Sequence, residues 1–264
     1  MQTKRIQRIH YVDVAFPGTS GTVQGFTTRH EGVSRTPYNS LNLGMNTLDQ
    51  PHNVEGNRSL LARAFGVTLE SLVTVRQVHG DDILVIDEPN EDFTHFLGIE
   101  SDAIITNQPN VMIGVCVADC APILVFDPEH RVVAAVHAGW QGTAAKLAAK
   151  TVSGMQALFG SKPSALQAAI GPCIGPCCYE VDAPVRQAFL NNGIAWDAFA
   201  SQGSEDKWQL DLSAANRELL LLAGLAPAAI QTSPMCVCCQ RELFFSYRRD
   251  KGDTGRQMGF IMLT

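Results

Sequence analysis

The sequence contains no long apolar run and no strong excess of positive charge. A membrane-spanning helix needs about 20 consecutive apolar residues, and no stretch approaches that length. The first ten residues carry positive charges but are not followed by the apolar segment of a signal peptide. The net charge is −6, and the basic residues are dispersed. We therefore expect a cytoplasmic protein that acts on a small molecule and binds neither nucleic acid nor a membrane.

Internal repeats, low-complexity tracts and Pro- or Ser-rich linkers are also missing. Hydrophobic residues make up 45% of the 264 positions and recur evenly to the last one, which is enough to bury one sizeable core. We therefore predict a single domain over residues 1–264. The sequence does not determine the oligomeric state, and a monomer is the default expectation.

Extended segments outnumber helical ones in the sequence pattern. The predicted strands group in hairpins with single helices between them, which favours an α+β fold with layered mixed sheets over a strict βαβ alternation. Helices are predicted at 53–65, 143–159, 183–191 and 214–223, with N-caps Asn53, Thr143, Asp182 and Ser213 and a stop at Gly224. Strands are predicted at 23–28, 72–78, 83–87, 103–106, 111–117, 123–126, 132–136, 166–170, 244–247 and 260–263.

A predicted hairpin at 117–140 carries two residues that could bind a metal. Its apolar runs flank a turn-forming cluster, and a turn centred between Pro128 and Glu129 would pair Cys120 directly with His137. Residues paired in this way have Cβ atoms roughly 4.5–5.5 Å apart, close enough to share an ion. A shift of the register by one residue would instead send the two side chains to opposite faces.

His79 is the third candidate ligand because it ends an apolar strand before a Gly-Asp turn. Two histidines and one thiolate suit zinc, with a fourth position open for water or substrate, which is typical of a catalytic site. Copper is the alternative, since it binds such donors more tightly in the general affinity order. Without a metal, Cys120 and His137 could act as nucleophile and base, with Asp119 or Asp102 orienting the imidazole.

Several nearby residues could contact a substrate. Trp140 could stack on a base, and the glycines around it lead into a predicted helix whose free N–H groups suit a phosphate. Arg29 and Arg248 stand at the ends of predicted strands and could bind an anion, and Cys173 lies in a Gly-rich loop that could approach a ligand. The structural alternatives are a core tryptophan, a tight turn and solvent-facing arginines.

The remaining cysteines include two clusters, at 177–178 and 236–239. In a reducing compartment, metal binding or packing explains such cysteines before disulfides do. A second metal site is one interpretation of the clusters. However, adjacent cysteines on a strand point to opposite faces, and we count neither cluster as having the usual two-residue gap of a zinc knuckle. We therefore assign no role to Cys177, Cys178, Cys236, Cys238 and Cys239.

The ordered motifs of the chain resemble those of the YfiH-like family, also called laccase-domain or multicopper polyphenol oxidase-like proteins and now assigned as purine nucleoside phosphorylases. Two positions depart from the family pattern: Gln141 stands where Arg is common, which would weaken an anion contact, and Glu31 stands where a glycine is common. The resemblance covers nearly the whole sequence. It is carried by the segments 27–29, 32–34, 41–44, 57–58, 77–80, 101–103, 118–122, 137–140, 171–175, 179–181, 244–249 and 254–256.

The resemblance implies a layered α/β/β/α fold related to a toxin deamidase that uses a Cys–His pair, with zinc bound by His79, Cys120 and His137. It also implies phosphorolysis of adenosine, inosine, guanosine and methylthioadenosine, together with deamination of adenosine. The partners would be purine nucleosides and phosphate. Substrate contacts are expected from Arg29, Asn42, Trp140, Cys173 and Arg248.

Three other functions stay open at this point. Family members have been linked to editing of a peptidoglycan precursor, for which a Cys–His amidase would suffice, and to copper-dependent phenol oxidation. A multicopper cluster needs many histidines, and seven scattered ones do not provide it. A binding module with a structural metal would need a fourth protein ligand, and only three can be named. In phosphorolysis, either Asp102 or Asp119 could move the proton to the leaving purine.

Overall fold

Two six-stranded sheets stacked face to face form the centre of the structure, a computed structural model that describes residues 1–17, 20–89 and 93–264. The α-helices are α1 (Pro51–Ala64), α2 (Trp140–Ala144), α3 (Leu147–Phe159), α4 (Ala183–Asn191) and α5 (Leu212–Leu222). The strands are β1 (Gln2–Ile6), β2 (Ile9–Asp13), β3 (Thr22–Thr27), β4 (Leu72–Val73), β5 (Ile83–Ile86), β6 (Ala103–Thr106), β7 (Met112–Val117), β8 (Ala121–Asp127), β9 (Val132–Ala138), β10 (Gln167–Ile170), β11 (Glu180–Asp182), β12 (Ala200–Gln202), β13 (Lys207–Leu210), β14 (Ile230–Thr232) and β15 (Gln257–Leu263).

Both large sheets mix parallel and antiparallel pairs. The first has the strand order β1-β2-β3-β15-β7-β4, and the second has the order β14-β10-β8-β9-β6-β5. β15 lies antiparallel between β3 and β7, so the last strand of the chain completes a sheet that the first three strands begin. None of the helices in the described ranges is long and apolar enough to span a membrane.

Alternate residues of the strands face different layers, and this builds three packed interfaces. Met112 and Phe260 pack against Leu61 of α1 on the outer side of the first sheet. Ile113 and Leu124 lie in the cluster between the two sheets. The outer face of the second sheet packs against α2 to α5. The order of layers is therefore helix, sheet, sheet, helices, and the predicted α+β fold of α/β/β/α type is confirmed.

Several strand predictions were wrong or incomplete. The segment 244–247 is not a strand: Phe244 and Phe245 are buried there, and the Phe245 N–H donates to the Gln257 side chain instead of to a main-chain carbonyl. The predicted strand at 72–78 forms a strand only at Leu72–Val73, and Arg76 adds an isolated bridge to Glu100. The sequence pattern also missed β1, β2 and a small third sheet with the order β11-β13-β12.

The helix predictions need three corrections. Helix α1 starts at Pro51 after Gln50 rather than at Asn53, since proline is pre-set for the first helical position. The helix predicted at 143–159 is interrupted at Lys146, which adopts a left-handed φ of 61°, so that α2 and α3 are separate. Helix α5 is capped by Asp211, whose carboxylate accepts the Ala214 N–H, and not by Ser213.

The other two helix signals were correct. Asp182 occupies the N-cap position of α4, although its side chain makes no capping hydrogen bond. Gly224 follows α5 with a φ of 100°, a left-handed conformation that favours glycine after a helix end.

The loop of the β8–β9 hairpin lies one residue later in the chain than predicted. Asp127 pairs with Val132, which leaves four residues in the loop and moves its centre to between Glu129 and His130. The Asp127 carboxylate accepts the N–H groups of Glu129 and His130 at 2.8 and 3.1 Å. Arg131 closes the loop in a left-handed conformation with a φ of 52°.

The predicted pairing of Cys120 with His137 was therefore wrong in its register. His137 lies opposite Pro122, and Cys120 directly precedes the strand. The displacement is two residues, an even number, so the alternation of the strand still places Cys120 on the side of His137.

Asp127→Asn should lower the free energy of unfolding by about 1–3 kcal/mol at pH 7, since a buried carboxylate with several donors is lost. Burial raises the pKa of Asp127, but the surrounding donors outweigh it and lower the pKa below its ordinary value. The stabilisation is thus present above about pH 4 and is lost as the pH falls. Denaturant titrations between pH 3 and 7 measure this, with Glu129→Gln as the exposed control. An unchanged acid dependence in Asp127→Asn would contradict it.

Candidate metal centre and cleft

The structure brings His79, Cys120 and His137 together at one end of the second sheet. Their candidate ligand atoms all lie within 4.8 Å of one another. His137 belongs to β9, Cys120 precedes β8, and His79 lies in the turn before β5. The rings of His79 and His137 meet nearly edge to face, with centroids 4.8 Å apart. This arrangement of two imidazoles and one thiol could bind a metal ion.

The backbone adopts a left-handed conformation at two residues, and this orients the candidate ligands His79 and Cys120. His79 has a φ of 60° and Asp119, which precedes Cys120, has a φ of 99°. Such conformations cost a residue other than glycine of order 1–3 kcal/mol, and surrounding contacts must hold them. At Asp119 the contacts are hydrogen bonds of 2.6 Å that its carboxylate accepts from the Ser246 hydroxyl and the Arg248 N–H.

Asp102 organises the two histidines. Its buried carboxylate accepts three backbone N–H groups, from Val78, His79 and Gly80, at 2.6 to 3.1 Å. It also lies 2.7 Å from Nδ1 of His137. This contact places the proton of the neutral ring on Nδ1 and leaves Nε2 free as a metal ligand, an arrangement common behind metal-bound histidines. Burial raises the pKa of Asp102, but His137 and the N–H donors lower it overall.

The thiol and the imidazole stabilise each other as an ion pair. Burial raises the pKa of Cys120, yet the neighbouring His137 and His79 outweigh this and lower the pKa to about 6. Burial lowers the pKa of His137, whereas Cys120 and Asp102 raise it to about 9. Near neutral pH the metal-free site would therefore hold a thiolate beside an imidazolium, and a metal ion would replace the proton of the imidazolium.

These three residues lie in a cleft with a volume of about 720 Å³. Of the residues predicted to contact a substrate, Trp140 and Arg248 line it, and so does Asp119. The Arg248 guanidinium lies 5.3 Å from the centre of the Tyr179 ring and donates to the Glu180 carbonyl at 2.9 Å. The cleft thus combines a candidate metal centre, cations and aromatic rings within one space.

Three predicted substrate contacts lie elsewhere. Arg29 lines a second cleft, where its guanidinium donates to the Asn39 and Arg241 carbonyls and stacks on Phe245 at 4.6 Å. Asn42 is buried, and its side chain orders the loop before α1 by accepting the N–H groups of Gly44 and Arg256.

Cys173 is also buried outside the cleft, and burial raises its pKa, so it is an unreactive thiol. The short α2 also weakens the expected phosphate site at a helix start. With five residues, the helix ends before a substantial dipole develops.

Other residues of the cleft were missed as site residues. Arg58 is 3% exposed and donates to the Leu43 and Leu72 carbonyls, while Arg256 lies over the Tyr247 ring. Arg58, Arg256 and Tyr179 all fall in family motifs, and that was the available signal. Hydrophobic periodicity could not have placed these three residues in one cleft. Arg58 lies in α1, Arg256 directly precedes β15 and Tyr179 lies in a loop, and these segments are distant in sequence.

Asp102→Asn should weaken metal binding roughly 10- to 100-fold, because the amide cannot both accept the three N–H groups and hold the His137 tautomer. Competition with a chromophoric chelator measures this affinity. Asp127→Asn is the matched control, since Asp127 is also a buried carboxylate with several donors but contacts none of the candidate ligands. Equal affinities of the wild type and Asp102→Asn would contradict the role of Asp102.

Comparison with known proteins identifies relatives along almost the whole chain. A family model described as multi-copper polyphenol oxidoreductase laccase matches residues 23–264. The chain is 38% identical over 256 residues to purine nucleoside phosphorylase YlmD of Geobacillus stearothermophilus, covering 93% of this chain and 91% of that protein. It is also 38% identical over 250 residues to purine nucleoside phosphorylase YfiH of Escherichia coli, covering 94% and 96%.

Solved structures agree with these sequence relatives. The crystal structure of YlmD from Geobacillus stearothermophilus matches with a TM-score of 0.90 at 35% identity, covering 98% of this chain and 97% of that chain. That of hypothetical protein YfiH of Bacillus licheniformis matches with a TM-score of 0.91 at 34% identity, covering 98% of both chains. The resemblance predicted from the motifs is confirmed: the chain belongs to the YfiH/YlmD, or laccase-domain, family.

Proposed function

We propose that the chain is a zinc-dependent purine nucleoside phosphorylase. One observation carries the proposal: the cleft that contains His79, Cys120 and His137 also contains arginines and aromatic rings. Arginines suit phosphate, and aromatic rings suit a purine base. Relatives at 38% identity are named purine nucleoside phosphorylases. The proposed substrates are adenosine, inosine, guanosine and methylthioadenosine.

A single zinc ion fits the donors of His79, Cys120 and His137 better than a cluster of copper ions does. Two imidazoles and one thiolate, with a position left open, are typical of catalytic zinc sites. Of the seven histidines, only His79 and His137 lie at this centre, and a multicopper site would need several more. A bound zinc ion would supply positive charge for an oxygen of the reacting groups.

Other residues of the cleft would bind the two reactants of phosphorolysis, phosphate and the nucleoside. Arg248 and Arg256 would hold phosphate so that one of its oxygens can attack the anomeric carbon of the ribose while the bond to the purine nitrogen breaks. Trp140, Tyr179 and Tyr247 would hold the base. The products are ribose 1-phosphate and the free purine, which leaves with one added proton.

Asp119 is the better candidate for the proton donor. It lines the cleft, and burial raises its pKa despite the hydrogen bonds and arginines that oppose the shift. Asp102 instead lies behind His137, and its donors keep it ionised. We therefore propose that Asp119 protonates the leaving purine and that Asp102 positions His137.

The same cleft is also proposed to deaminate adenosine, a different reaction in which water attacks C6 of the purine and the amino group leaves as ammonia. A rival function rests on one further observation. Cys120 lies beside His137, which in turn contacts Asp102. They could therefore act as nucleophile, base and orienting acid in an amidase acting on peptidoglycan precursors. Such an amidase would keep its activity after chelation and lose it on thiol alkylation.

His79→Ala should lower phosphate-dependent release of base from inosine or adenosine by at least about 100-fold, because the metal centre loses one of its three ligands. Chromatography of free base, ribose 1-phosphate and ammonia, with and without phosphate, measures phosphorolysis and deamination together. His52→Ala, on the exposed side of α1, is the matched control. Full turnover in zinc-loaded His79→Ala would contradict the proposal.

Asp119→Asn should lower kcat by about 100- to 10,000-fold and remove the alkaline limb of the pH profile. The sign follows from its role, since an acid must be protonated and activity falls as the pH rises through its raised pKa. Steady-state rates between pH 5 and 9 test this. An alkaline limb that persists in Asp119→Asn would assign the proton transfer to another group.

A further inference from the structure

Four cysteines converge outside the cleft, and this corrects the expectation that they have no shared role. The candidate ligand atoms of Cys177, Cys178, Cys236 and Cys239 all lie within 4.8 Å of one another. The expectation failed for two reasons. The residues lie in turns rather than on strands, so adjacent side chains can meet. Cys236 and Cys239 are also separated by two residues, which is the spacing of a zinc knuckle.

The distances between the sulfur atoms suit a single ion. The Sγ atom of Cys239 lies 3.6 Å from that of Cys177 and 3.4 Å from that of Cys178. Four thiolates at about 2.3 Å from zinc in a tetrahedron are separated from one another by about 3.8 Å. The observed spacing is close to that edge length, so the thiols need only small shifts to share an ion.

Backbone contacts already join the two loops that carry these thiols. One loop follows β10 and the other follows β14, two strands that pair in parallel. The Val237 N–H donates to the Cys173 carbonyl at 3.0 Å, and the Gly175 N–H donates to Sγ of Cys236 at 3.2 Å. An N–H donor of this kind favours the thiolate form that a metal requires. The site is therefore largely formed by the fold itself.

We propose that Cys177, Cys178, Cys236 and Cys239 bind a second zinc ion in a closed, four-cysteine structural site. All four tetrahedral positions are taken by protein sulfur, which leaves none for a substrate and distinguishes this site from the three-ligand centre of the cleft. The site lies beyond the residues that the family resemblance and the proposed function use.

The second ion would hold one wall of the cleft in place. Arg248 donates to the carbonyls of Glu180 and Cys178, and Arg249 donates to those of Val237 and Cys238. Tyr179 directly follows one ligand pair and faces the cleft. Loss of the ion should therefore loosen Tyr179 and Arg248 without altering His79, Cys120 or His137.

Metal analysis in a background that lacks the first site tests the proposal directly. The double variant His79→Ala/Cys120→Ala, purified under reducing conditions with zinc, should retain one zinc per chain. Adding Cys177→Ser and Cys239→Ser should remove it, whereas adding Cys238→Ala should not, since Cys238 lies beside the cluster but outside it. Cobalt substitution should give the absorption of a tetrahedral thiolate site only in variants that retain both Cys177 and Cys239.

Several outcomes would overturn the proposal. One is a double variant without zinc whose circular dichroism matches that of the wild type. Another is zinc that survives the two serine substitutions. A third is six rather than eight free thiols in wild-type protein purified without reductant and denatured with a chelator, which would identify a disulfide pair instead of a metal site. Because these measurements do not depend on nucleoside turnover, they remain decisive if the proposed phosphorylase activity is absent.

Discussion

The buried Asp102 carboxylate is the contact on which the candidate metal centre depends. An isolated carboxylate with no exposed surface would be costly, and it is tolerated here because three N–H groups and His137 surround it. Its main chain also accepts the His137 N–H at 2.7 Å and donates to the Asp82 carbonyl. One residue thereby fixes the turn that carries His79 and the strand that carries His137. The same hydrogen bonds that satisfy the buried charge determine the geometry of two candidate ligands.

A second carboxylate, Asp119, organises the part of the cleft around Cys120 and Arg248. It holds Ser246 and Arg248 through its side chain, and its carbonyl accepts the Ile174 N–H at 2.8 Å. The pKa of Asp102 is lowered and that of Asp119 is raised, because Asp102 receives more donors for the charge that burial disfavours. Two aspartates that are equivalent in the sequence pattern are thus separated into a positioning carboxylate and a candidate acid by their surroundings alone.

Sequence reasoning predicted the class of fold and the meeting of His79, Cys120 and His137 because these rest on strand alternation and strand ends. It could not predict the hairpin register, which depends on how Asp127 and Arg131 close the loop. The four-cysteine cluster was considered as a second metal site and set aside, for another reason. Its two groups of thiols stand about 60 positions apart in the chain, and they meet because the strands before them, β10 and β14, pair in parallel.

The charge of the cleft differs from that of the whole chain. The protein carries a net charge of −6, yet Arg58, Arg76, Arg248 and Arg256 all line this one space. In the part of the chain that the structure describes, Arg76 pairs with Glu100, while the other three donate side-chain hydrogen bonds to carbonyl or hydroxyl oxygens.

Carbonyl oxygens hold a guanidinium in place without neutralising it, so the cleft keeps a positive field that a carboxylate partner would cancel. Such a field favours an anion beside the candidate metal centre. Because carbonyl oxygens, and for Arg58 also the Thr74 hydroxyl, hold Arg58, Arg248 and Arg256 in place of an acidic side chain, their positive charge remains available to an anion in the cleft.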